Sequence, residues 1–285
     1  MAASKQHEVT LLAKPHAAPL LNRFAPDIQL ESFEFPWTAF QGKYRLWSWP
    51  RSNMIFGLRR LRQKHFALGV SARPDPRDHA LLFASGCKRR AGFPGAGSRS
   101  LLNRAISTPK SPHRLAHWNA LAESLGIAMQ LDLPLANPKA RSRHAVIHTG
   151  AGHPVRCWPV ERWRSMATRL ESAGWSVTVI DDSLKDIGQL LAMLETAERF
   201  LGNDSGPGHL AALLGVPTFT LFGPQLPECF SPIHPLSTWL GGAACPYKPC
   251  KDKCRFASPE CLLSISTDEA WSSISCWLKT SQTHP

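Results

Sequence analysis

The sequence predicts an α/β protein built from parallel sheets with helices on both faces, organised as two packed units. Three observations carry this. Short apolar, β-branched runs alternate with longer helix-like segments; glycine-rich loops follow directly on two of those runs; and 285 residues exceed one typical domain.

Taken in order, Glu8–Ala13 reads as a strand that stops at Lys14-Pro15, because proline restricts continuation. Arg59–Phe66 reads as a basic helix and Ala67–Ser71 as a buried strand, followed by the turn-rich Arg73–Asp78. Arg90–Arg114, rich in Gly, Ser and Pro, reads as a long surface loop. His117–Leu125 has helical apolar spacing at Trp118, Leu121, Ala122 and Leu125, with Gly126 as its stop. Pro134–Arg143 reads as an interdomain linker.

The second half repeats one pattern. Ala145–His148 is strand-like and runs into Thr149-Gly150-Ala151-Gly152; a helix over 160–173 precedes the strand Trp175–Ile180, which ends at Asp181-Asp182. A helix over 184–195 leads to the strand Arg199–Leu201, the loop Gly202–His209, the helix Leu210–Leu214 and the strand Val216–Phe222. Trp158, Trp163 and Trp175 are expected in the core. Ligands on such sheets bind at the carboxyl ends of the strands, where both glycine loops fall.

Composition narrows the class. With 43% hydrophobic and 19% charged residues the chain is globular rather than disordered. The formal net charge of +12 favours anionic partners, whether phosphorylated small molecules, lipid surfaces or nucleic acid. The basic residues, among them Arg59, Arg60, Arg62, Lys64, Arg141 and Arg143, form no long polybasic run and no RNA-binding signature, which argues against a nucleic-acid protein. No run resembles a secretory signal or a membrane span, so a cytoplasmic location is expected, with eight cysteines kept reduced.

At Asn203–His209, Ser205 and the amides near Gly206 and Gly208 open a helix, a setting suited to phosphate because those amides lack intrahelical partners. The plainer alternative is that Asp204 or Ser205 only caps the helix. Cys245, Cys250, Cys254 and Cys261 could hold a tetrahedral zinc ion, yet their spacing of four, three and six contains no two-residue knuckle. The alternative is a reduced loop flanked by Lys248, Lys251 and Lys253, and no metal or cofactor is assigned.

Four ordered motifs carry a family resemblance: His148-Thr-Gly-Ala-Gly-His-Pro154, Arg156-Cys-Trp-Pro-Val-Glu-Arg-Trp163, Gly202-Asn-Asp-Ser-Gly-Pro-Gly-His209 and Gly215-Val-Pro-Thr-Phe-Thr-Leu-Phe-Gly-Pro224. Together they resemble the donor-domain motifs of glycosyltransferase family 9, which includes the lipopolysaccharide heptosyltransferases. Val9–Leu21 and Asp75–Gly95 are weakly similar to acceptor-side segments of that family.

The resemblance implies a GT-B architecture, two Rossmann-like domains facing across a cleft, with 1–133 as an incomplete acceptor-side domain, 134–143 as linker and 144–285 as the donor domain with a carboxy-terminal helix. It implies inverting, metal-independent transfer of heptose or a similar sugar from a nucleotide diphosphate, ADP-heptose above all, to a saccharide or lipid-linked acceptor, with an anionic membrane surface as a further partner. The alternative activity is nucleotide-sugar binding with little turnover.

By motif, Asp204, Ser205, Gly206, Pro207, Gly208 and His209 would contact the donor, Arg156 would offset phosphate charge, and Thr149 and Gly150 would border the pocket. Asp181 or Asp182 would hold ribose hydroxyls. The family's opening strand and its Gly-Asp loop, which bears the expected general base, has no counterpart before Val9. Asp75 and Asp78 are the nearby substitutes, and a solvated turn is the expected role of both.

Overall fold

The computed structural model describes residues 3–5, 7–38, 47, 49–129, 133–250 and 253–280. The chain divides into two compact units, 1–130 and 131–285.

In the first unit, β1 (Thr10–Ala13) and α1 (Ala18–Phe24) lead to β2 (Gln29–Ser32), which pairs with β1 in parallel. Then come α2 (Arg51–Gln63), β3 (Leu68–Ser71), α3 (Pro76–Ala84), β4 (Arg89–Gly92), the short β5 (Arg104–Ala105) and α4 (Arg114–Ser124). β3, β4 and β5 form a second parallel sheet. The two sheets share no ladder. They meet through an apolar cluster of Phe35, Trp37 and Leu61, against which Leu12 of β1 and Leu81 of α3 pack.

Two sequence expectations change here. The basic helix begins at Arg51 rather than Arg59 and ends at Gln63, before His65 takes a left-handed backbone. Gly57, a poor helix former, is retained mid-helix because a Cβ there would stand 2.7 Å from the Phe33 ring. The stretch Arg90–Arg114 is no surface loop: β4 and β5 lie within it, and Ala91, Phe93, Leu102 and Ile106 are buried. Local composition hid this, because the pairing of β4 with β3 is non-local. Arg90 ties the segment together by donating from Nε to the Leu101 carbonyl and from a terminal nitrogen to that of Cys87.

The second unit carries β6 (His144–His148), α5 (Val160–Ser172), β7 (Ser176–Ile180), α6 (Ile187–Leu194), β8 (Arg199–Asn203), α7 (Gly206–Leu213), β9 (Thr218–Phe222), α8 (Pro227–Phe230), β10 (Thr238–Gly241), α9 (Glu260–Leu263) and α10 (Thr267–Thr280). Its five-stranded parallel sheet has the order β10-β9-β8-β6-β7. Every residue of β6, β8 and β9 is buried, as expected of a parallel sheet covered on both faces. The segment 134–143 packs on this unit: Asn137 donates to the carbonyls of Glu195 and Ala197, and a Cβ on Gly215 would meet Pro134 at 2.8 Å.

α5 shows why these residues make these elements. Trp163, Met166, Ala167 and Leu170 recur at helical spacing and are buried against β6 and β8 residues and α10, while Gly174 at φ 84° ends the helix. The three tryptophans expected in the core, Trp158, Trp163 and Trp175, are there. α6 starts at Ile187, later than the sequence suggested, because the Asp186 side chain accepts from the amides of Gly188 and Gln189 as an N-cap.

Leu201 lies fully buried in the middle of β8. Leu201→Ala should destabilise the second unit by about 2–5 kcal/mol through lost burial and a residual cavity. A lowered denaturant midpoint with unchanged slope is the expected readout.

Candidate functional site

In the five-stranded sheet of the second unit the chain passes from β6 outward to β7 and then returns to β8 on the other side of β6. The strand order therefore reverses between β6 and β8, and in open parallel sheets the crevice beyond the carboxyl ends at such a point is where ligands bind. His148 closes β6, in register with Ile180 of β7 and Gly202 of β8. Thr149, Asp181 and Asn203 follow side by side, so Thr149-Gly150, Asp181-Asp182 and the start of α7 emerge at one rim.

Asn203 joins these pieces. Its Nδ2 donates to the carbonyls of Thr149 (2.8 Å) and Gly150 (3.3 Å), and its Oδ1 accepts from the Trp158 amide (3.0 Å) and Trp163 Nε1 (3.3 Å). Both donors and both acceptor positions are filled, as a buried amide requires. Trp158 donates from Nε1 to the Ile265 carbonyl, and Arg162 donates to the carbonyls of Leu263 and Ile265, which extends the brace to the carboxy-terminal segment.

α7 opens at Gly206 rather than Leu210, which puts Gly206, Pro207, Gly208 and His209 in its first turn. Ser205 occupies the N-cap position but makes no capping bond. Its hydroxyl is directed instead to the Asn203 carbonyl (3.2 Å) and to His148 Nδ1 (3.3 Å). Ser205 thus does not fill the plain capping role, and the leading amides give the amino terminus of α7 a partial positive charge. A Cβ added at Gly206 would meet nothing within 4 Å, so the backbone is open on that side. His209 is half-buried and Asp204 buried, with Arg156 3.6 Å from its Oδ2.

His148 is a site residue that the sequence left unassigned. It is buried, and its Nε2 stands 3.7 Å from Asp182 Oδ1. Burial pushes its imidazole below the usual histidine range, while Asp182 and Asp181 act in the opposite direction. The ring is therefore neutral at neutral pH and adds no cation to the crevice. Asp181 accepts from the Ser183 amide, and the Ser183 hydrogen bonds lower its pKa. Asp182 is exposed, close enough to Gly150 that a Cβ there would fall 2.1 Å from its Oδ1. The signal for His148 was its place as the last residue of its strand, whereas Asn203 was read inside the loop Gly202–His209 and only the structure places it at the end of β8.

Asp75 and Asp78 are not solvated turn residues. Asp75 caps α3 through the Arg77 amide and is bracketed by the Arg77 and Arg73 guanidinium groups. The Arg77 hydrogen bond holds its carboxyl below the usual range, which makes it a poor proton acceptor. Asp78 accepts from Trp37 Nε1 at 2.8 Å and lies 3.4 Å from Arg73. Both fasten α3 to its surroundings.

Cys245, Cys250, Cys254 and Cys261 line one cavity together with Tyr247, Lys248 and Arg255. All four are free thiols, and burial pushes Cys261 up. Among the described residues no group of three His, Cys, Asp or Glu side chains is placed to hold a metal ion. Lys251 lies outside the described residues. No described helix is long and apolar enough to cross a membrane.

Residues 182–259 match the family model for glycosyltransferase family 9 (heptosyltransferase), a span that includes the third and fourth motifs. Lipopolysaccharide heptosyltransferase 1 of Pseudomonas aeruginosa is 31% identical over 148 residues, 44% of this chain and 41% of that protein. The chain thus spans about two fifths of the curated relative it matches. The E. coli ADP-heptose lipopolysaccharide heptosyltransferase II structure aligns with a TM-score of 0.70 at 16% identity, over 99% of this chain and 93% of that one. E. coli heptosyltransferase WaaC with ADP aligns at 0.68 and 14%, over 95% and 100%. These likenesses establish a GT-B fold of Rossmann-like units, and the family resemblance read from the motifs is borne out.

Two outcomes follow from the site geometry. Because His148 stays neutral in the fold at pH values where an unfolded histidine is protonated, the unfolded chain binds more protons below about pH 6.5, and stability should fall there as pH drops. Buried His79 and His234 are shifted the same way. His148→Gln should reduce, not abolish, the slope of melting temperature against pH between about pH 5 and 7. Asn203→Ala should cost about 1–3 kcal/mol for each buried donor it leaves without an acceptor, read from chemical denaturation.

Proposed function

We propose that this chain is a family 9 glycosyltransferase that transfers heptose, or a similar sugar, from a nucleotide-diphosphate donor to a saccharide or lipid-linked acceptor of the lipopolysaccharide core. The observation that carries the reading is the coincidence of the motif loops with the strand-order reversal beside β6. The names of the similar proteins, heptosyltransferases among them and one holding ADP, make ADP-heptose the donor of choice.

In this reading the donor diphosphate sits against the amino terminus of α7. The amides of Gly206 and Gly208, the Ser205 hydroxyl and His209 hold its oxygens, and Gly206, lacking a side chain, admits it. Arg156 supplies full positive charge, and the carboxylate of Asp204 beside it fixes where the guanidinium lies. Thr149 and Gly150 border the pocket. Exposed Asp182 and Asp181 take the ribose hydroxyls. Charge that develops on the leaving diphosphate meets preorganised donors, the usual origin of large rate effects. The transfer is inverting and metal-independent, by a single displacement at the anomeric carbon.

A second reading, donor binding with little turnover, is favoured by one observation: Asp75 and Asp78, the two carboxylates considered as bases, are held in structural bonds.

ADP at about 100 times its dissociation constant should stabilise the chain by about 2.7 kcal/mol. Gly206→Val should fold with unchanged melting temperature, since its side chain meets open space, and lose the ADP shift. A retained shift would put the nucleotide elsewhere. Sugar transfer from ADP-heptose to a deep-core acceptor separates enzyme from binding protein. Asp75→Asn and Asp78→Asn should leave that rate within about twofold, whereas loss of a true general base costs about 10²- to 10⁴-fold.

A further inference from the structure

We propose that the outer face of α2 is the surface by which this protein docks on an anionic lipid membrane. The proposal concerns the first unit and is independent of how the second unit treats its donor.

α2 is two-sided. Met54, Gly57 and Leu61 recur at helical spacing and face the Phe33–Phe35–Trp37 cluster. On the opposite side lie Arg51, Ile55, Phe56, Arg59 and Arg62. That side is apolar as well as basic: Ile55 is 53% and Phe56 61% exposed, and Trp47, just ahead of the helix, is 93% exposed. Single exposed apolar residues need no explanation. Ile55 and Phe56, adjacent on one helix surface and flanked by Arg51, Arg59 and Arg62, form a patch.

The charge on this face is uncompensated. Residues 51–63 contain four arginines and no acidic residue. Arg60 pairs with Glu31 and lies over the Phe56 ring at 5.9 Å, and the ring is still 61% exposed. Among the described residues Arg51, Arg59 and Arg62 meet no carboxylate within ion-pair reach.

A lipid surface fits both halves of this pattern. Guanidinium groups bind phosphate through a rigid fork of donors, and isoleucine, phenylalanine and tryptophan side chains enter the headgroup and acyl boundary, where tryptophan is enriched. A second copy fits poorly, because pairing through this face would set arginine against arginine. Nucleic acid would use the arginines and stack on the aromatics but has no apolar place for Ile55.

The test is co-sedimentation of the full chain with phosphatidylcholine vesicles, with and without phosphatidylglycerol. Binding should need the anionic lipid and weaken as salt rises. Replacing Arg51, Arg59 and Arg62 together by Gln should lower the partition roughly fivefold per arginine, the fold-change equal to about 1 kcal/mol each. The pair Ile55→Ser and Phe56→Ser should weaken binding with its salt dependence kept. All five positions are exposed, and unchanged circular dichroism melts would verify folding. Equal binding to neutral vesicles, or unaltered binding by both variants, overturns the proposal. So does tighter binding to single-stranded nucleic acid at equal phosphate, or self-association that the Ser variants abolish.

Discussion

The site depends on one buried amide. Asn203 ends β8 and has four hydrogen-bonding positions to satisfy away from water; it satisfies them with Thr149, Gly150, Trp158 and Trp163. Three separate sequence motifs are thereby held to one side chain. The Thr149-Gly150 loop cannot move away from the start of α7 without stranding carbonyls, and the Trp158 segment cannot leave without stranding an amide. Unmade buried hydrogen bonds are costly, so the crevice is rigid through polar satisfaction and not through packing alone. Trp158 and Trp163 meet edge to face at 5.1 Å and carry the same constraint into the core.

That rigidity organises the electrostatics. With His148 neutral, the positive features at the rim of β6 and β8 are the amino terminus of α7 and Arg156. The Ser205 hydroxyl, not spent on capping, lies between His148 and the first turn of α7. The carboxylates divide by exposure: Asp204 is buried beside Arg156, whereas Asp181 and Asp182 face solvent. Positive and negative groups are thus offered at different points of one rim.

The two units solve the parallel-sheet problem differently. In the second, five strands in one sheet are covered on both faces. In the first, β1-β2 and β3-β4-β5 are separate sheets that adhere through aromatic packing, and Leu11 and Val70, each a little over a third exposed, show how much less is covered. The acidic residues of Asp75–Asp78 act within this arrangement: one caps α3 and the other receives the indole of Trp37, which makes them supports of the fold.

The sequence by itself determined the α/β class, most strands and helices of the second half, and the place of the loop Gly202–His209 at the end of a strand and the start of a helix, because hydrophobic periodicity and glycine placement are local properties of the chain. It misread Arg90–Arg114, where burial comes from pairing with a strand some twenty residues earlier, and it placed the start of α2 late, where packing on Phe33 outweighs the propensity of Gly57. Only the tertiary structure decided what His148, Asn203, Asp75 and Asp78 do. Each is an ordinary polar residue in sequence, and its role rests on partners 34 to 57 positions away or on a guanidinium folded back over it. Spacing along a chain cannot carry that information, since proximity between strand ends is set by sheet order, which is a property of the whole sheet.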